Sequence, residues 1–466
     1  MNTNRNRTIL ALGVALALAA GGASATNGYY THGTGTKSKG QAGAGSANPE
    51  EILILATNPA GIAVVADSID VGIGFFLPMR NYATSESLVN GACSPQGCAN
   101  TIGPNDLASQ NEFFAVPFVA GKWALTDADH LGAAFYGRGG MNTKWVGGTA
   151  TYDPTFGRGT PTTFPGTYGG GTAGVDLMQG FLNLSYAHAF GDRFSAGASA
   201  IMAIQRFEVR GVSTFAPFTK TYVESLNPQT GAAEMPKHLS GNGHDMSYGY
   251  GGTVGLYWRP LDALSFAAAY TTKMTMSNFG EYSDMFAEGG GFDMPSTWTF
   301  GMALMPSDAL TLMMDVQQIY YSDVDSVANP IQNLYNCPIF NPVSGDLKYC
   351  LGGSKGPGFG WDDMIVYKFG ASYDYSDSLT WRAGFSFTNQ PIPTDQMTFN
   401  ILAPGVIEQH WTVGFTQKMK SGNEVNLSFM YAPTKEVSGP QNFDSTQSVE
   451  LSMKQFELEL SYSWKR

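Results

Sequence analysis

The run FELELSYSW, residues 456–464, decides how this chain folds. Phe456, Leu458, Leu460, Tyr462 and Trp464 fall on one side of an extended backbone, and Glu457, Glu459, Ser461 and Ser463 fall on the other. A period of two belongs to a strand, not a helix. The same alternation sets Leu379, Trp381, Ala383, Phe385 and Phe387 against Thr380, Arg382, Gly384, Ser386 and Thr388. It sets Ile365, Tyr367, Phe369, Ala371 and Tyr373 against Lys368, Gly370 and Ser372. One apolar and one polar face suit a sandwich or a barrel equally. Aromatic residues near strand ends (Trp258, Trp298, Tyr373, Tyr431, Tyr462 and Trp464) point to the interfacial girdles of a transmembrane barrel.

The connections alternate in length. Short turns fall at 126–129, 191–192, 261–263, 307–309, 376–378 and 421–423, most of them acidic. Between them lie long connections at about 77–112, 145–175, 212–245, 276–295, 322–362, 390–406 and 434–446. Short inner turns and long outer loops are the habit of outer-membrane barrels. Six turns and seven loops imply fourteen antiparallel strands, the first beginning at Ser68–Phe76, with both termini on the short-turn side. Segments such as 130–140, 176–189 and 310–321 are long enough to cross a bilayer as tilted strands.

Composition agrees. Charged residues make up only 14% of the chain, while Gly reaches 57 residues and aromatics 13%. Residues 1–25 combine Arg5 and Arg7, an apolar stretch from Ile9 and the small residues Ala23-Ser24-Ala25, as in a secretory signal peptide. No other window is apolar enough for a spanning helix, which leaves a closed barrel as the way into a membrane. Removing residues 1–25 takes away two Arg and no acid, moving the formal charge from -12 to -14. Such a chain repels nucleic acid. The four cysteines form two local clusters, and in an exported chain the simplest pairing is Cys93–Cys98 with Cys337–Cys350. Neither cluster has the spacing or His ligands of a metal site, so no metal and no cofactor are expected.

Residues 26–66 do not alternate. Their glycine-rich run THGTGTKSKGQAGAG holds a Lys37-Ser38 pair, but Thr36 and Thr31 stand where a phosphate-binding loop needs glycines. ILILA (52–56) forms a short apolar helix, and Asn58-Pro59-Ala60-Gly61 a turn. A fourteen-stranded barrel is too wide to fill with its own side chains, so a compact segment of this kind has a place inside it.

NGYYTHGTGTKSKGQAGAGSA (27–47) followed by NPAG (58–61) resembles the N-terminus of the FadL/TodX outer-membrane transporters of long-chain fatty acids and hydrocarbons. The resemblance implies an N-terminal hatch over 26–66 that plugs a barrel over 67–466, with Asn58, Pro59, Ala60 and Gly61 as its signature turn. It also draws attention to GRGGMNT (137–143) in the third strand. Glycines at 137, 139 and 140 flank Arg138 where a ladder wants side chains, and glycine there often marks a bulge. In the family an inward kink of this strand opens a gap through which an apolar substrate leaves sideways. The chain departs from the family in ending Trp464-Lys465-Arg466 instead of on an aromatic residue.

The function expected is transport of a hydrophobic small molecule by a monomeric barrel in the bacterial outer membrane, amid its lipid and lipopolysaccharide. Apolar loop residues, Phe215 and Phe218 in FAPF and Met285 and Phe286 in MFAEGGGF, are candidates to bind it, as is IQNLY (331–335). Arg138, beside the kink, is the candidate to receive a carboxylate. Other lumen charges, Asp315, Lys368, Arg382, Glu457 and Glu459, are expected to hold the plug. An enzyme is not expected: five histidines sit by turns, in a loop or in the hatch, and His410, near an outer strand end, suits a girdle or loop position. The alternative is a general porin or a receptor barrel without hydrophobic specificity.

Overall fold

A computed structural model describes residues 27–94, 97–155 and 159–465, so the expected signal peptide and Arg466 lie outside the described residues. Fourteen antiparallel strands close on themselves. They are β1 (Ser68–Thr84), β2 (Phe114–Ala124), β3 (Asp129–Asn142), β4 (Gly174–Ala189), β5 (Phe194–Arg210), β6 (Asp245–Leu261) and β7 (Leu264–Thr271). Then follow β8 (Thr297–Ser307), β9 (Leu310–Ile319), β10 (Met364–Ser376), β11 (Leu379–Thr388), β12 (Gln409–Lys418), β13 (Glu424–Gln441) and β14 (Asp444–Lys465). Each strand pairs with its neighbours in sequence, and β1 pairs with β14 from Ser68↔Lys465 to Thr84↔Val449.

Burial along the strands is inverted relative to a soluble protein. On β14 the acids Glu457 and Glu459 are buried, whereas Leu458, Leu460 and Trp464 are exposed. On β10 and β11, Lys368 and Arg382 are buried while Phe369 and Trp381 are exposed. This is the signature of an apolar belt facing lipid around a polar, filled lumen. Trp258 and Tyr373 lie exposed near strand ends, as girdle residues should.

Two loop assignments need correction. β1 continues to Thr84, so the first long connection begins later than residue 77. The connection placed at 434–446 is mostly strand: β13 runs to Gln441, β14 starts at Asp444, and the hairpin rises past the membrane. Above the belt no lipid face demands alternation, so Lys435-Glu436-Val437-Ser438-Gly439 reads as loop while still pairing with 449–453. The strand count is unaffected.

Residues 27–66 pack against the inward faces of the strands. A single helical turn spans Thr36–Lys39, and 3₁₀ turns span Ile52–Ala56 and Pro59–Ala63. Ile52, Leu53, Leu55 and Ile62 pack with the inward-facing Phe118, Ala134, Tyr136, Phe181 and Ile201, each large apolar side chain contributing roughly 1.5–3 kcal/mol. The glycine-rich run allows close threading: Gly43 has φ +80°, and a Cβ there would stand 1.9 Å from the His32 carbonyl oxygen.

Candidate functional site

Ion pairs tie residues 37–50 to three strands on one side of the wall, β11, β13 and β14. Lys37 Nζ lies 2.7 Å from Glu424 Oε2, and Lys39 Nζ lies 2.5 Å from both Glu457 Oε1 and Glu459 Oε2. Arg382 grips Glu50 with two hydrogen bonds of 3.1 Å. Asp315 accepts the Ser46 N–H at 3.0 Å, and Lys368 donates to the His32 carbonyl at 3.1 Å. Burial works against the charge of Lys39, but Glu457 and Glu459 outweigh it and hold the pKa above the ordinary lysine range. Among the described residues Glu51 forms no ion pair, and burial pushes its carboxyl up to about 7.

Asn58, Pro59, Ala60 and Gly61 are buried against β5 and β6. The Asn58 Oδ1 accepts the Ala60 N–H, and its Nδ2 donates to the Leu256 carbonyl at 3.0 Å. Ser195 Oγ donates to the Ala60 carbonyl at 2.9 Å. The wall has given up side chains here: a Cβ on Gly255 would stand 2.0 Å from Asn58 Oδ1, and one on Gly197 2.6 Å from the Ala60 nitrogen.

The third strand is irregular where its glycines cluster. Gln179 of β4 pairs with Gly139 and Gly180 with Gly137, so Arg138 is the extra residue of a bulge. On the other edge, β2–β3 pairing runs from Ala124↔His130 only to Val119↔Phe135. β2 continues to pair with β1 as far as Phe114↔Phe76. Residues 114–118 and 136–142 thus face each other without a ladder. Pro117, which the register would set opposite Gly137, has no N–H to donate, a signal that lies in the sequence beside the glycines. The hatch takes the vacated edge. Tyr30 bridges Gly139, the Thr31 N–H donates to the Arg138 carbonyl at 2.9 Å, and the Gly140 N–H donates to the Tyr29 carbonyl at 3.0 Å. The Arg138 guanidinium lies 4.9 Å from the Tyr30 ring centroid.

Above the hatch the loops form a partly open cavity of about 430 Å³, lined by Phe215, Met285, Phe286, Leu351, Phe399 and Leu402 among others. Among the described residues no charged side chain lines it. Of the five candidate contact residues, three meet here. Phe218 lies one ring away, 6.1 Å from Phe215, and Arg138 lies apart, in the wall. Phe399 and Leu402 come from a loop with no sequence pattern to single it out.

Rings run outward and inward from this cavity. Outward, Phe218 meets Phe340 at 4.9 Å, and Phe340 meets Tyr335 at 6.0 Å; both Phe340 and Tyr335 are exposed. Inward, Phe286 meets Phe292 at 5.0 Å, Phe292 meets Tyr29 at 6.2 Å, and Tyr29 meets Tyr30 at 5.2 Å. The chain of rings ends at the unpaired stretch of β3.

Cys93–Cys98 and Cys337–Cys350 are both bonded. His410 departs from expectation. It is neither in a girdle nor in a loop but wholly buried in the lumen, its ring 5.6 Å from that of His32 and its Nδ1 2.9 Å from Ser386 Oγ. A serine so buried beneath the hatch offers no reaction centre to solvent.

The sequence model of a family described as outer membrane protein transport protein (OMPP1/FadL/TodX) matches residues 16–461. A long-chain fatty acid transport protein of Salmonella typhi is 25% identical over 312 residues, spanning 62% of this chain and 67% of that relative. A FadL homologue of Pseudomonas aeruginosa superposes with a TM-score of 0.64 at 15% identity, covering 94% of this chain and 99% of its own. The toluene transporter TodX of P. putida superposes with a TM-score of 0.58 at 17% identity, covering 93% and 99%. At such identities the solved structures speak for the fold alone.

Proposed function

We propose, from the premise that this chain belongs to the OMPP1/FadL/TodX outer-membrane transport family, that it carries neutral hydrocarbons from the cell surface into the membrane's interior. It is a transporter of the outer membrane and not an enzyme. The substrate enters over Tyr335 and Phe340, rests in the loop cavity, and passes along Phe292 and Tyr29. It leaves sideways between β2 and β3 once residues 29–31 let go of β3. The observation that carries this reading is the run of ring contacts from exposed loops to the bulged, unladdered stretch of β3, with an uncharged cavity on the way. Apolar contact along the whole route spares the solute from meeting water. The hatch-filled lumen speaks against an open porin.

A fatty acid is the second reading. It is favoured by Arg80, which is 2% exposed yet makes only a 3.4 Å hydrogen bond to the Asn111 carbonyl and leaves Nη2 without a partner. A buried, unpaired guanidinium suits a carboxylate. The test is uptake of labelled toluene and labelled oleate by cells with and without the protein. Toluene uptake that depends on the protein supports the first reading, and dependence for oleate alone replaces it with the second.

A further inference from the structure

A polar row crosses the outer ends of β3–β6 on the lipid-facing side of the wall. Asn142 pairs in register with Asp176, and Asp176 with Glu208. His244 precedes the residue that pairs with Phe207, which sets it level with Glu208. The side chains touch. Asn142 Nδ2 donates to Asp176 Oδ1 at 2.7 Å, while His244 Nε2 lies 2.8 Å from Asp176 Oδ2 and 3.4 Å from Glu208 Oε2. Arg206 reaches up to Asp176 at 3.0 Å, and Arg210 holds Glu208 at 2.5 and 2.9 Å. Outward residues below the row, Met178, Ile204 and Met202, are apolar. The row therefore stands where hydrocarbon gives way to lipid head groups.

A cavity of about 610 Å³ opens against this row, lined by Asn111, Lys144, Asp176, Glu208, Arg210 and His244 among others. The cluster holds three permanent cations, Arg206, Arg210 and Lys144, against two carboxylates. That excess stands out in a chain of formal charge -12. Lys144 has no ion-pair partner among the described residues, and Arg210, at its fifty-nine per cent exposed side chain, keeps an edge free for a second ligand.

We infer that this cleft holds the phosphorylated glucosamine head group of an outer-leaflet lipid A molecule. Lys144 and the free edge of Arg210 bind a phosphate, since a guanidinium and an ammonium both suit one. Asp176 and Glu208 accept hydrogen bonds from sugar hydroxyl and amide groups, which a site for a bare anion would not provide. The cavity reaches from Asn111 before β2 to Thr143 after β3, so the bound lipid sits over the outer end of the unpaired β2–β3 seam. The inference rests on the outer-membrane location and not on the substrate route, so its failure leaves the transport reading standing.

The test is native mass spectrometry of the full chain in detergent, titrated with bisphosphorylated lipid A, with the same lipid stripped of phosphate, and with inorganic phosphate. The wild-type protein should bind the phosphorylated lipid at least about tenfold more tightly than the stripped one, as loss of charge-assisted hydrogen bonds requires. Lys144→Ala/Arg210→Ala should lose a similar factor, while Lys454→Ala, which removes a cation lying over Tyr431 and Phe456 on β13 and β14, should lose none. Equal affinity for the two lipids, an unchanged double variant, or inorganic phosphate binding as tightly as the lipid would each overturn the assignment. If the double variant does not fold, the comparison of lipids on the wild-type protein decides.

Discussion

The strap formed by residues 29–31 can be locked. Tyr30 and Gly139 face each other as an antiparallel pair flanked by the two hydrogen bonds from Thr31 to Arg138 and from Gly140 to Tyr29. At such a pair the Cα atoms approach to about 4.5 Å, within the reach of a disulfide. Tyr30→Cys/Gly139→Cys therefore staples the strap to the wall. A Cβ on Gly139 would meet Gln179 Oε1 at 2.3 Å and the Tyr29 carbonyl at 2.9 Å; the first is the end of a flexible side chain that can move aside. To β3 itself the native strap makes two backbone hydrogen bonds, each about 0.5–1.5 kcal/mol net, and the Arg138–Tyr30 contact, about 0.5–2 kcal/mol. Together these contacts hold the strap to β3 by about 1.5–5 kcal/mol. On them alone about one molecule in ten to one in several thousand is unstrapped before substrate arrives. The oxidised double-cysteine protein should lose hydrocarbon uptake by about tenfold or more, and mild reductant should restore it. The paired control Tyr30→Ala deletes the ring over Arg138 and should leave uptake at or above the wild-type rate. Full uptake by the verified, oxidised staple would refute lateral exit through this seam.

Three further outcomes follow from the same geometry. Lys39→Met leaves Glu457 and Glu459 buried side by side without their cation, which should loosen the hatch by about 3–5 kcal/mol and raise ion conductance in planar bilayers. Glu51 titrates near 7 when the hatch is docked, against 4.5 for a free carboxyl. Its contribution to docking is thus complete below pH 4.5 and is lost as pH rises through 7. Glu51→Gln should accordingly raise thermal stability by about 3 kcal/mol above pH 7 and change little below pH 4.5; an identical gain at both ends of that range would contradict the assignment. Phe286→Asp places a carboxylate in the loop cavity and removes about 1.5–3 kcal/mol of apolar contact. Toluene binding measured by equilibrium dialysis should fall about tenfold or more, with barrel assembly unaffected.

Much of the wall was legible because every strand obeys one local rule. Glu457 and Phe456 need no knowledge of distant residues to be sorted inward and outward, and turns such as Gly191-Asp192 announce themselves. The rule lapses above the membrane, which is why residues 434–441 read as loop although they are strand. Asn58-Pro59-Ala60 was visible as a turn, yet the glycines that receive it, at 197 and 255, carry meaning only once β5 and β6 stand beside the hatch. Pro117 was readable as a missing donor, but its place opposite Gly137 depends on the β2–β3 register.

From the amino-acid order alone came the barrel, its strand number and the two cystine pairings, because alternation, turn chemistry and short-range spacing act between neighbours in the chain. The tertiary structure alone decided what the plug and loops do to one another. Tyr30 takes over an edge abandoned by β2, His410 stacks on His32, and Phe215, Phe286, Phe399 and Leu402 close one cavity from three loops. Those contacts join segments far apart in the chain, and no periodicity encodes such a meeting; packing inside a closed cylinder does.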